Sequence, residues 1–167
     1  MKANKDEQPL KVVSAVDLSR YAGLWYEIAR LPNRFEKKCD SDVTAHYTLE
    51  GKRIRVVNRC RKTNGEFTDA KGVARLADKD GPNSRLEVRF APSFLSFLPF
   101  VWGDYQIMAL GPNYDYSLVG EPGRKYLWIL SRTPQMDEDT YRKLTEIAAE
   151  QGFDVNKLVR TKHSEQQ

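Results

Sequence analysis

Two cysteines, Cys39 and Cys60, and two histidines, His46 and His163, are the side chains whose types suit nucleophilic attack or transition-metal binding. A nucleophilic cysteine needs a base beside it, and no spacing here links either histidine to either cysteine. A zinc site takes four ligands, commonly signalled by Cys-x-x-Cys or closely spaced histidines. The chain has no Cys-x-x-Cys and its histidines are far apart, so no metal site and no catalytic residue is expected. Both histidines read as surface residues.

What remains for the cysteines is to join each other, and that depends on the elements that carry them. From residue 24 to 132 the sequence reads as short strands punctuated by turn residues, the pattern of a sandwich or barrel. Eight are expected, at 24–31, 42–49, 53–60, 67–76, 84–90, 104–110, 115–119 and 125–132, with turn chemistry such as Glu50-Gly51-Lys52 and Gly111-Pro112-Asn113 between them. With the first hairpin centred near Gly51, Cys60 falls opposite position 41, two short of Cys39 and on its face. A disulfide is geometrically reasonable there. It would close a loop of about twenty residues, worth about 3 kcal/mol in the chain-entropy model. Two buried free thiols are the alternative.

Alternation marks the dry faces. In the second strand Val43, Ala45, Tyr47 and Leu49 oppose Thr44, His46 and Thr48; Ala70, Gly72 and Ala74 put small residues on one face of the fourth. The first and eighth strands are apolar on both sides, as in Tyr126-Leu127-Trp128-Ile129-Leu130, so both of their faces must be covered. The cover is a helix at 137–151, with Asp137, Glu138 and Asp139 at its start, Gly152 past its end, and a stripe of Tyr141, Leu144, Ile147 and Ala148. A sheet buried inside and also covered outside curves round on itself, which favours a barrel. Residues 153–159 read as a short strand or extended arm, and 1–9 and 161–167 as loose ends.

Composition bounds the rest. At 167 residues the chain suits one domain with a real core. It is 30% charged and 40% hydrophobic, with both signs mixed, which fits a globular protein. A net charge of +4 and a pI near 9.0 raise nucleic acid as a partner, but Arg53, Arg55 and Arg59 alternate with apolar residues as on the wet face of a strand, so nucleic-acid binding is not expected. No apolar run is long enough to span a bilayer, and the first nine residues contain no apolar export segment; a mature exported protein preceded by a new methionine would read the same way.

Three motifs in order carry a family resemblance. They are Gly23-Leu24-Trp25 continued by Tyr26-Glu27-Ile28-Ala29-Arg30, then Gly103-Asp104-Tyr105, then Leu127-Trp128-Ile129-Leu130-Ser131-Arg132-Thr133-Pro134. Over nearly the whole chain this resembles the lipocalins, and most the bacterial outer-membrane and apolipoprotein D-like type. Gly103 departs from the Thr that many lipocalins have there. The resemblance implies an all-β fold: an eight-stranded antiparallel up-and-down β-barrel over residues 10–160 with one C-terminal α-helix packed outside. It also implies that Arg132 lies across Trp25 at a closed end, a cation–π contact of about 0.5 to 2 kcal/mol. Gly23, Trp25 and Arg132 are then structural.

Function follows from the inside of such a barrel. The inward residues expected to meet ligand are Val43, Ala45, Tyr47, Ile54, Val56, Asn58, Ala70, Gly72, Ala74, Val88, Phe90, Tyr105 and Ile107. Mostly apolar with a few polar groups, they suit a lipid-like molecule and no cofactor. A buried acyl chain gains roughly 0.8 kcal/mol per methylene. Arg30, Arg34, Lys37 and Lys38 follow the first strand and offer positive charge to a head group, or else are solvated loop charges. The connection 91–102, Ala-Pro-Ser-Phe-Leu-Ser-Phe-Leu-Pro-Phe-Val-Trp, is too apolar for an ordinary surface loop. It reads as a membrane-facing or dimer-forming segment, or as local core over one barrel end.

The reading of the whole is a carrier of fatty acid or lysophospholipid, not an enzyme, working outside the cytoplasm in the periplasm or at the outer membrane. The competing readings are a lipocalin-fold isomerase or lyase and a carrier of tetrapyrrole or retinoid.

Overall fold

The computed structural model describes residues 8–90 and 102–164, apart from the Phe35 side chain. Residues 91–101, which hold most of the apolar connection, lie outside that range. Eight strands run in sequence: β1 (Gly23–Arg30), β2 (Cys39–Glu50), β3 (Arg53–Lys62), β4 (Phe67–Leu76), β5 (Arg85–Phe90), β6 (Gly103–Leu110), β7 (Tyr116–Gly120) and β8 (Leu127–Ser131). Each pairs antiparallel with the next, and β1 pairs with both β2 and β8, so the sheet closes into a barrel. A two-residue β9 (Val159–Arg160) adds to β1. Helix α1 (Leu18–Tyr21) precedes the barrel, capped by the Asp17 carboxylate on the Ser19 and Arg20 amides. Helix α2 (Glu138–Glu150) starts at Asp137, whose carboxylate accepts from the Thr140 amide, and ends before Gly152 in the left-handed region.

Alternation places two cores. Inside the barrel are Trp25, Ala45, Tyr47, Ile54, Val56, Ala74, Leu86, Ile107, Val119 and Leu130, with Val16 and Tyr21 from the segment before β1. Outside, Ile28, Ala29, Leu127 and Ile129 pack on Leu144 and Ala148 of α2 and on Phe153. The two-sided burial expected of the first and eighth strands is met in this way.

The strands alternate direction, so their connections define two ends. The turns 51–52, 77–84 and 111–115, together with α1, form the base. The connections 31–38, 63–66 and 121–126, with the end of β5 and the start of β6, form the mouth. The segment before α1 crosses the base, where the Val13 amide donates to the Ile107 carbonyl and the Val16 amide to Asn83 Oδ1 at 2.7 Å. Gln8, within the 1–9 stretch expected to be loose, is held by Arg124, whose guanidinium donates to its carbonyl.

The cysteines form a disulfide, Cys39–Cys60, with Cα atoms 5.5 Å apart. The register differs from the expected one. The hairpin turn is two residues, with Glu50 opposite Arg53, and β2 is bulged between Cys39 and Thr44, which draws Cys39 back towards Cys60. Asp42 sits in that bulge at φ +55°, a conformation that Asp tolerates better than most residues. Replacing both cysteines by serine should cost about 3 kcal/mol in urea unfolding. Loss of less than about 1 kcal/mol would mean that the bulge and its partners hold without the crosslink.

The expectation of a loose tail at 161–167 gives way at its near end. The Thr161 amide donates to the Ile28 carbonyl, the Asp42 amide to the Lys162 carbonyl, and the Ser164 amide and hydroxyl to the Asp42 carboxylate at 2.6 and 2.7 Å. The His163 side chain is 4% exposed rather than on the surface, and its Nε2 bonds the Glu27 carbonyl. These residues form an arm wedged between β1 and β2 near the mouth, where the bulge has parted the two strands. Backbone groups left unpaired by that parting must find partners, and the arm supplies them.

Candidate functional site: the barrel lumen

The floor is built first. Gly23 turns the chain from α1 into β1 at φ +106°, and a Cβ there would stand 3.3 Å from Arg132 Nη1. Arg132 needs that space. Its guanidinium lies 3.8 Å from the centroid of the Trp25 ring and donates to four carbonyls: Leu24 at 2.9 Å, Tyr114 at 3.0 Å, and Arg20 and Tyr21 at 2.7 and 3.2 Å. Trp25 is fully buried and its indole N–H donates to the Tyr21 carbonyl. The plug expected from the motifs is present at the base.

Above it runs a chain of hydroxyls. Tyr105 lies 2.8 Å from both the Tyr21 and Tyr47 hydroxyls, and Tyr21 lies 2.9 Å from Ser117 Oγ. Burial holds the Tyr21 phenol up to about 12 and pushes the Tyr47 and Tyr105 phenols well above their ordinary range. The hydroxyl layer therefore stays uncharged at any physiological pH.

The residues expected to face ligand separate into two layers. Ile54, Val56, Ala74 and Ile107 are buried in the tightly packed lower layer with Tyr47. Ala45 stands opposite Asn58, Asn58 opposite Ala70, and Gly72 opposite Phe90, which places Asn58, Ala70, Gly72, Val88, Phe90 and Tyr105 on the inner wall. These six are only half-buried although they face inward. Val43 and Ala45, each 8% exposed, lie on the same inner side of β2. At Gly72 an added Cβ would meet the Arg89 carbonyl at 2.6 Å and the Phe90 ring at 2.7 Å, so this glycine lets the phenyl ring fold across the wall. Asn58 Oδ1 is buried without a hydrogen-bond partner among the described residues. An orphaned acceptor of this kind is costly unless a guest or water supplies a donor.

Near the mouth the inner wall carries charge. Glu27 pairs with Leu130 and Arg30 with Trp128, both of the inner core, and a β-bulge between Glu27 and Ala29 changes the phase of β1. Glu36, from a 3₁₀ turn at Arg34–Glu36, reaches the same spot. Arg30 Nη1 donates to Glu27 at 2.8 Å, Arg30 Nε lies 3.3 Å from Glu36 Oε2, the Trp128 indole donates to Glu36 Oε1 at 2.9 Å, and the Thr161 hydroxyl donates to Glu27. Burial, then the Glu36 charge, then a hydrogen bond towards Glu36 raise the Glu27 pKa well above 4.5, against the opposing pull of Arg30. A proton on Glu27 is favoured here, since only Arg30 Nε, 3.3 Å away, faces Glu36 Oε2 among the described residues.

The sign of the pH effect follows. The folded state holds this proton more tightly than the unfolded chain, so the contribution of Glu27 to stability is complete below about 4.5 and is lost as pH rises through the folded pKa. Asp42 acts oppositely. Its burial is outweighed by hydrogen bonds from Ser164, Arg61 and Ser41 that bring it to about 2, so its contribution is present above 3.8 and lost as pH falls through about 2. Glu27→Gln should therefore flatten the fall in melting temperature on the alkaline side while leaving the acid limb unchanged. An unaltered alkaline slope would assign that slope elsewhere.

A recess of about 300 Å³ lies beside this cluster, lined by Arg30, Pro32, Asn33, Arg34, Glu36, Lys37, Cys39 and Val159. Three of the four loop cations named from the sequence meet there; Lys38 is exposed outside it. Sequence reasoning missed Glu27, Glu36, Trp128 and Thr161. One signal was available for Glu27, since a carboxylate in a strand apolar on both faces has no wet side to occupy.

The comparisons agree with this geometry. The lipocalin-like domain family matches residues 16–163. Temperature-induced lipocalin-1 of Arabidopsis thaliana is 42% identical over 96% of this chain and 86% of its own length. Outer membrane lipoprotein Blc of Citrobacter freundii is 39% identical over 89% and 80%, and mouse apolipoprotein D is 30% identical over 87% and 76%. Among solved structures, insecticyanin from the tobacco hornworm Manduca sexta superposes with a TM-score of 0.74 at 22% identity, over 95% of this chain and 86% of its own. The chain belongs to the lipocalin family.

Proposed function

We propose that the chain is a carrier that binds a fatty acid or lysophospholipid in the upper lumen and performs no chemistry on it. The observation that carries this reading is the half-buried inner wall of Asn58, Ala70, Gly72, Val88 and Phe90 above a sealed layer of uncharged tyrosine hydroxyls. Side chains that face inward and still have accessible surface bound space that the protein does not fill. The acyl chain lies on this wall. The head group sits at the rim, with Arg30, Arg34 and Lys37 of the recess nearest to it. The named relatives at the bacterial outer membrane support a site of action outside the cytoplasm. The apolar sequence of residues 91–102 suits a membrane contact.

Cys39 and Cys60 are joined to each other and His163 bonds a backbone carbonyl, so the isomerase or lyase reading gains no nucleophile or base from them. Displacement of a fluorescent fatty acid by unlabelled fatty acid and by lysophosphatidylcholine tests the carrier reading. Saturable displacement at micromolar concentration is expected. A flat titration counts against the reading, and a visible absorption band in protein purified without added ligand turns it towards tetrapyrrole.

A further inference from the structure

The hydroxyl layer beneath the lumen carries one proton more than it uses. Tyr47, Tyr105, Tyr21 and Ser117 bring four O–H groups and make three hydrogen bonds, Tyr47 with Tyr105, Tyr105 with Tyr21 and Tyr21 with Ser117, at 2.8 to 2.9 Å. Each bond consumes one proton, so one of the four is left over. Among the described residues these hydroxyls make no other hydrogen bond. Because a hydroxyl can rotate, and can accept as well as donate, the direction of each bond can reverse and the spare proton can rest on any of the four oxygens. Burial keeps the phenols protonated, with Tyr21 held up to about 12 and Tyr105 well above its ordinary range. A buried donor without a partner is unfavourable.

The surroundings decide which oxygen can offer that proton to a guest. Tyr21 and Ser117 are buried among packed neighbours, Tyr21 against the Trp25 plug. Tyr47 and Tyr105 border the open wall. Tyr47 pairs with Val56, Val56 with Gly72 and Gly72 with Phe90, so the row of the barrel that holds Tyr47 also holds two half-buried residues of that wall. Tyr105 is itself half-buried, and its ring stands edge-on to Tyr47 with centroids 6.0 Å apart. The next row towards the mouth is Ala45, Asn58 and Ala70, in which Asn58 is the polar member and its amide has both donors and an acceptor. Polar groups are therefore concentrated at the inner end of an otherwise apolar wall.

A guest that ends in a methyl group leaves these polar groups unsatisfied. A carboxylate end satisfies a donor but must bring a full charge out of water, which is far more costly than burying a neutral group. A hydroxyl stays neutral and can both accept from a tyrosine and donate onward.

We infer that the lumen selects amphiphiles whose inserted end carries a hydroxyl, such as an acyl chain hydroxylated at its far end, with Tyr47 or Tyr105 donating to the guest oxygen. This rests on the carrier reading and narrows it: the chemistry of the tail, as well as that of the head, decides what is held.

Hexadecanoic acid and 16-hydroxyhexadecanoic acid, each used to displace the fluorescent fatty acid, provide the test. An extra hydroxyl buried without a partner should weaken binding by about tenfold or more. Wild type is instead expected to bind the hydroxy acid at least as tightly as the plain acid. In the double variant Tyr47→Phe, Tyr105→Phe the ratio of the two affinities should fall by about tenfold or more, whatever shift is common to both guests. Both phenols must be changed, because removing one leaves a spare proton on the other. Weaker binding of the hydroxy acid than of the plain acid by wild type overturns the inference, and so does an unaltered ratio in the double variant. If the double variant does not fold, the wild-type comparison decides alone. Plain acid that displaces the probe while the hydroxy acid fails leaves the carrier reading standing and removes this one; failure of both acids removes both.

Discussion

Replacing Arg132 with alanine is expected to remove about 3 kcal/mol of stability and to lower the melting temperature by roughly 10 °C. The figure comes from what the guanidinium does. It bonds carbonyls on three separate segments, the end of α1, the start of β1 and the β6–β7 turn, while covering the Trp25 ring. Each such bond is worth about 1 kcal/mol net and the ring contact about 0.5 to 2 kcal/mol. The site is half-buried, so water takes up part of the loss, and the sum is set towards the low end. Arg132→Lys should recover little, because one ammonium on a flexible stem cannot reach three segments at once. A lysine variant within about 1 kcal/mol of wild type in thermal or urea unfolding would show that charge over the indole suffices and that the carbonyl network does not matter.

The second large effect concerns binding. If the upper lumen is the site, Ala70→Trp should weaken fatty acid displacement by about tenfold or more, because Ala70 is a small, half-buried residue opposite Asn58 on the inner wall and a large ring there competes with the guest. Val73→Trp, on the same strand and one face over, should leave displacement unaltered. The pair tests the inner wall rather than the strand. Retained affinity in Ala70→Trp would place the ligand outside the barrel and sink the lumen as the site.

Much of this architecture could be read from residue order. The small residues of β4, the apolar alternation of β2 and β5 and the two-sided burial of β8 each named a face, and closure of the sheet followed from covering both faces of β1 and β8. The plug of Trp25 and Arg132 came from motifs. Positions set by local departures from regularity were not legible. The bulge after Glu27 turns Arg30 inward by shifting the phase of β1, and the bulge at Asp42 depends on a positive φ that composition does not announce. The arm at 161–164 is polar and resembles a loose end. It is ordered because β1 and β2 part and leave backbone groups that only another backbone nearby can satisfy.

That wedge has a geometric consequence. At the floor the wall is eight strands round, but at the rim β9 and the arm add a ninth element between β1 and β2. One extra strand spacing lengthens the perimeter by about 4.8 Å and the diameter by roughly 1.5 Å. On the β1–β2 side the wall is therefore about one strand spacing wider at the rim than at the floor, and the barrel tapers with depth.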